Sequence, residues 1–176
     1  MSNLGGVVLY DDIYSQTQTG DGVRNDCFEI VFDSQNPIAF PSKNKITLYS
    51  SGFWGEDIGS VIPSTPVVGG VGRRIKVFRP IKDEMQPQYC INFIKKQNGV
   101  PSNVFGLAGI EMVMLGNLPG GIKILGFDDY ENLAPNDNGC KKIPFSSVSV
   151  GGNIERGWVG WSNKINKNFC FALFCS

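Results

Sequence analysis

The residues with the clearest chemical potential are Trp54, Glu56, Asp57, Arg73, Arg74, Trp158 and Trp161. The tryptophans sit in glycine-flanked settings, GFWGED and RGWVGW. Glycine beside an indole can leave the ring open to a sugar that stacks on it, and Trp also anchors protein interfaces. Burial in the core is the competing reading for each ring. Glu56 and Asp57 would supply polar contacts next to Trp54. Arg73 and Arg74 head the local basic cluster, with Lys76, Arg79 and Lys82. On a strand Arg74 and Lys76 share one face and Ile75 and Val77 the other, which suits a solvated edge that resists aggregation. No aromatics interleave this cluster as a single-stranded nucleic-acid platform requires, so nucleic acid is not an expected partner.

Catalysis is harder to assemble. The chain has no histidine, which removes the commonest general base and the usual transition-metal ligand. Carboxylates remain: Glu56 with Asp57, Asp83 with Glu84, and Asp128 with Asp129 and Glu131. Adjacent strand residues point to opposite faces, so spacing alone makes none of these a catalytic pair. The run DDYENLAPNDN, residues 128–138, concentrates oxygen ligands but does not follow the EF-hand order; it reads as a polar loop ending at an Asn-Gly turn, with calcium as the alternative. Gly69-Gly70-Val71-Gly72 lacks both the third glycine of a dinucleotide loop and the Gly-Lys-Ser/Thr of a P-loop. No catalytic residue, metal site or cofactor is expected, and the chain reads as a protein of contact, not an enzyme.

The elements that must position these residues read as strands. With 176 residues, one domain can bury roughly 70% of the surface its unfolded chain exposes. Sixteen basic residues balance sixteen acidic ones and 18% of residues are charged, which favours neither nucleic acid nor an anionic membrane as partner. Period-two patterns mark strands at Cys27–Asp33, Lys45–Tyr49, Arg74–Arg79, Gln88–Lys95, Gly109–Leu115, Gly121–Phe127, Phe145–Val150, Ile154–Trp161 and Asn168–Phe174. In the second of these, Ile46 and Leu48 would share a face. Only the region of Asp128–Leu133 suggests a helical turn. The pairs Asp21-Gly22, Asn98-Gly99 and Asn138-Gly139 suit tight hairpins, and Pro119-Gly120-Gly121 suits an antiparallel connection. The expectation is an all-β fold, an antiparallel β-sandwich or jelly-roll-like domain with little or no helix, spanning residues 1–176, with a projecting loop at 60–72.

The five cysteines form an odd set without C-x-x-C spacing and read as reduced thiols. No run approaches the roughly 18 apolar residues of a membrane span, and the opening residues lack the pattern of a secretory signal. Synthesis in a cytoplasm and no membrane insertion are expected.

Residues 6–37, with GVVLYD and then IVFDSQNP, resemble the opening of small tail-associated virion proteins of bacteriophages, and the aromatic strand NFCFALF resembles the finish of phage fibre and tail-tip domains. The resemblance implies a non-enzymatic structural or attachment component of a virion: tail-associated, fibre-like or a decoration protein. Its partners would be copies of itself and other virion proteins, and its site the virion, after synthesis in the host bacterial cytoplasm. The alternative is a carbohydrate-binding or receptor-binding module that uses exposed tryptophans on a host surface glycan. The stretch ITLYSSGFWGED also invites comparison with βγ-crystallin Greek keys, but Tyr49 and Phe53 have three residues between them where that family has four, a slip that changes the face a side chain takes.

Overall fold

A computed structural model of the chain describes residues 8–9, 27–50, 63–64, 71–82, 84–114, 122–149 and 151–175. The strands are β1 (Val8–Leu9), β2 (Phe28–Asp33), β3 (Ile38–Ala39), β4 (Gly72–Pro80), β5 (Gly99–Pro101), β6 (Lys123–Leu125), β7 (Lys142–Val148), β8 (Ile154–Gly160) and β9 (Phe169–Cys175). They form an open mixed sheet in the order β1-β2-β4-β9-β6-β7-β8, with β3 alongside β4 and β5 alongside β9. All pairings are antiparallel except β6 with β9.

β9 alternates between two cores. Phe171 and Leu173 enter a cluster with Phe28, Phe78, Phe93, Leu125 and Phe127. Cys170, Ala172 and Phe174 enter the other, with Ile75, Val77, Leu107 and Ile124. A strand apolar on both faces belongs in the interior of a sheet covered on both sides. The covering layers are helices: α2 (Pro87–Lys96) on the Phe171 face, and α1 (Lys43–Ser50) with α3 (Asn103–Met114) on the Phe174 face. In the first core Phe28 meets Phe93 at 4.4 Å and Phe171 edge-on at 5.5 Å between ring centroids.

The strand-rich body agrees with the sequence reading, but the expectation of little or no helix is corrected. Three segments read as strands are helical. In Lys43–Ser50 the Ser42 hydroxyl caps the Lys45 N–H at 3.3 Å, and Ile46 is buried while Leu48 is 78% exposed, so the two do not share a face. In Pro87–Lys96 the buried residues are Pro87, Cys90, Ile91, Phe93 and Ile94, of which Pro87, Cys90, Ile91 and Ile94 have the spacing of a helical stripe. Pro87 opens the helix, where its missing N–H has no partner to lose, and Lys95 and Lys96 close it against the dipole. Asn98, at φ 52°, ends this helix by the left-handed capping route, not a hairpin.

Asn103–Met114 is apolar almost throughout, so period carries little information there. The Asn103 side chain accepts from the N–H groups of Phe105 and Gly106 at 3.0 and 3.3 Å, and Gly109 lets the helix rest on Phe40, whose ring would lie 2.2 Å from an added Cβ. The second layer of a sandwich or jelly roll is therefore supplied, among the described residues, by helices. The helical turn expected near Asp128–Leu133 is a 3-10 turn at Tyr130–Asn132. Gly139, at φ 78°, makes the turn expected at Asn138-Gly139. Asp21-Gly22 and Pro119-Gly120-Gly121 lie outside the described residues. So does most of the 60–72 loop, of which Pro63, Ser64, Val71 and Gly72 are described.

Candidate functional site

The β7–β8 hairpin and the turn after it carry Trp158 and Trp161. Val148 pairs with Ile154 at the hairpin end, where the Ser149 hydroxyl accepts from the Asn153 N–H at 3.1 Å and Gly152 takes φ 82°. At the other end the Trp161 N–H donates to the Lys141 carbonyl at 2.9 Å. Trp158 and Trp161 are three residues apart and go to opposite faces: Trp158 packs against the Phe174 core and Trp161 against the Phe171 core. They do not form one stacking platform.

Trp158 is half-buried, with the Lys142 ammonium 4.4 Å from its ring centroid, a cation–π contact. It lines a cavity of about 20 Å³ with Asn103, Asp128 and Asn132, room for about one water. Asp128 is buried and accepts from Ser64 through both hydroxyl and N–H, and from the Asp129 N–H. Burial pushes its carboxyl above the usual carboxylate range, against the pull of those bonds. Asn136 turns its side-chain oxygen to the N–H groups of Asn138 and Cys140, both at 2.9 Å, so this loop oxygen holds its own backbone. Among the described residues no cluster of three or more carboxylate and thiol side chains gathers as a metal site would require.

Trp161 lines a separate groove of about 190 Å³ with Gln86, Gln88, Ser162, Asn163 and Lys164. The groove exists because Met85 and Ile165 exchange backbone hydrogen bonds of 2.8 and 2.6 Å. That bridge holds the turn after β8 against the first turn of α2. Tyr130 meets the indole edge-on at 5.0 Å.

The basic pair has a structural setting. β4 lies between β2 and β9, so it is an interior strand and not the solvated edge expected. Ile75 and Val77 are buried together, as their shared face requires. Arg74 grips Asp33 through Nε at 3.1 Å and a second nitrogen at 2.7 Å. Burial alone would raise the Asp33 carboxyl, but the guanidinium and the Gln35 N–H outweigh it and hold it below the usual range. The Arg73 Nε is buried next to β3, without a hydrogen-bond partner among the described residues. Three strands, β9, β6 and β7, separate this pair from β8. Trp54, Glu56 and Asp57 lie outside the described residues.

The sequence reading missed the best-held polar group. Glu111 of α3, 3% exposed, accepts from Arg156 of β8 at 2.8 and 3.0 Å, from the Tyr49 hydroxyl at 3.1 Å and from the Ser146 hydroxyl. Burial would lower the Arg156 guanidinium, but its bonds to Glu111 hold it above its ordinary value. Burial, then the Glu111 charge, push the Tyr49 phenol up. The network ties α1, α3, β7 and β8 together. Its signal was a single carboxylate in the apolar run GIEMVML, which demands a buried counter-charge.

The five cysteines are free thiols, and among the described residues no helix is long and apolar enough to cross a membrane. Fold and site together define, over the described residues, an α/β fold with one mixed sheet and a mostly polar groove bordered by one indole. No family model matches the chain, and neither a curated protein nor a solved structure does.

Proposed function

We propose that the chain is a non-enzymatic contact protein of a bacteriophage virion, a tail-associated, fibre-like or decoration component that docks on copies of itself and on other virion proteins. The observation that carries the contact role is a set of partly covered aromatic rings on the Phe171 face of the sheet. Phe145, Trp161 and Phe169 are half-buried against that core, and Tyr130, edge-on to Trp161, is exposed. Such residues, rigid and only partly covered, are the usual anchors of protein interfaces. The ion pairs of the sheet, by contrast, join elements: the buried Glu111 to Arg156, and in partly exposed pairs Asp33 to Arg74 and Glu29 to Arg79. The virion assignment rests on the resemblance of residues 6–37 and of the C-terminal strand to phage proteins. A sandwich or jelly-roll layout would add a second sheet, and the contact role does not depend on it. On this reading the protein takes no cofactor, inserts in no membrane and is made in the host cytoplasm before it joins the particle.

The test is light scattering of the purified protein, alone and mixed with purified components of the particle. Self-association or capture of a virion protein is the expected result. A chain that stays monomeric and binds none of them overturns the reading.

The groove at Trp161 favours a second reading, a glycan-binding attachment module. It sets an indole beside amide and hydroxyl side chains, the pairing a sugar ring needs.

A further inference from the structure

We propose that the groove beside Trp161 is a single-ring sugar subsite, taking one neutral hexose or N-acetylhexosamine unit with its C–H face against the indole. The proposal rests on the glycan reading above and assigns it a place, a size and a charge. The groove volume of about 190 Å³ is below the roughly 300–1,000 Å³ of pockets that enclose drug-sized molecules. One ring fills it, and any further residues of a glycan extend from its open side.

The lining offers both halves of sugar recognition. Trp161 presents an aromatic surface braced by Tyr130 and by the Phe171 core, so little freedom is lost when a ring settles on it. Gln86 and Asn163 each bring an amide that can both donate and accept, Gln88 an amide whose nitrogen already donates to the Asn92 side-chain oxygen at 2.9 Å and whose own oxygen can accept, and Ser162 a hydroxyl that can do both. Hydroxyls around a pyranose need that mixture. The local charge favours the class: Lys164, the one charged side chain of the lining, is held in an exposed ion pair with the Glu84 carboxylate at 3.3 Å, and the other polar groups of the lining are neutral. The Trp158 cavity is water-sized and cannot serve as an equivalent subsite.

The experiment is saturation-transfer NMR on the full chain with the methyl glycosides of glucose, galactose, N-acetylglucosamine and N-acetylgalactosamine, and with glucuronic acid as the charged comparison. At least one neutral sugar should saturate. W161A and the double variant Q88A/N163A should each weaken its binding by about tenfold or more, and W158A by less than about twofold. The amide pair leaves the indole packing intact, so the test remains decisive if W161A does not fold. If a neutral sugar binds but Q88A/N163A binds it as tightly as wild type, or W158A abolishes it, the subsite assignment falls and the glycan reading stands. If glucuronic acid binds more tightly than every neutral sugar, the assignment to neutral sugars falls. If no sugar in the panel saturates, both the subsite and the glycan reading fall.

Discussion

Removing the Glu111 carboxylate should be among the most damaging single changes in the chain, and removing its partner as well should undo most of the harm. Glu111 and Arg156 have side chains 2% and 19% exposed. In E111L the guanidinium keeps its burial but loses its counter-ion, a change that typically costs about 3–5 kcal/mol. The 19% exposure of Arg156 lets water reach it and points to the lower part of that range. The hydroxyls of Tyr49 and Ser146 lose an acceptor too, at about 1 kcal/mol each where water cannot replace it. E111L should therefore lose about 3–5 kcal/mol, and R156M about 3 kcal/mol. In E111L/R156M no buried charge is stranded, so the double variant should lose only about 1–2 kcal/mol, chiefly from the two hydroxyls. Urea denaturation with a common m value gives the cycle, and the coupling should exceed about 2 kcal/mol. An E111L loss below about 1 kcal/mol, or a double variant that costs the sum of the singles, refutes the reasoning.

Four further outcomes follow from particular contacts. G109A should destabilise by about 1–3 kcal/mol through overpacking against the buried Phe40 ring, measured by the same denaturation; a neutral effect would show that helix α3 is not seated so closely. For Asp33 the folded pKa lies below 3.8, so its contribution is present above pH 3.8 and is lost as pH falls through the lowered folded value. D33N should flatten that acid limb of the stability curve. Asp128 has the opposite sign: its folded pKa lies above 3.8, so its contribution is full below pH 3.8 and fades as pH rises through the folded value, and D128N should remove that slope. Cys140 is exposed, whereas burial pushes the Cys170 thiol up to about 12 and Cys90 higher still. A thiol reagent should modify Cys140 fastest in the native protein, and C140S should abolish the fast phase; rapid labelling of Cys90 would contradict its burial.

Period two served where one face or both faces of a strand are apolar and the run is long enough to show it. FEIVFD and RIKVFR lie in strands as read, and NFCFALF does so from Phe169 onward. It failed at QYCINFIK because alternate apolar residues there coincide with a helical stripe, and Pro87, one residue before the run, was the missed signal. In GIEMVML nearly every position is apolar, so no period could arbitrate, and the capping Asn103 lay six residues upstream of the segment as read. The short run ITLY offered too few turns to show a helical stripe, and Ser42 was its overlooked cap. The site was legible in parts. Trp158 and Trp161 were found by type, and their odd spacing already places them on opposite faces of a strand. The amides beside Trp161 were not legible, because only the pairing of Met85 with Ile165, eighty residues apart in sequence, brings them there.

The position of β9 has a consequence for the order in which this molecule can assemble. Strands β1, β2 and β4 form one half of the sheet and β6, β7 and β8 the other, and β9 alone joins them. β7 and β8 pair as a hairpin, while β2 meets β4 across a long separation, with Phe28 opposite Pro80; β4 and β6 keep bare inner edges until β9 enters between them. Pairing so distant in sequence makes folding slow, and bare edges are open to the wrong strand in the meantime. The last step is then a zipping of two half-sheets around one strand. Synthetic peptides of residues 169–175 could compete for that slot, which makes the centre of the sheet the point at which assembly of the fold can be intercepted.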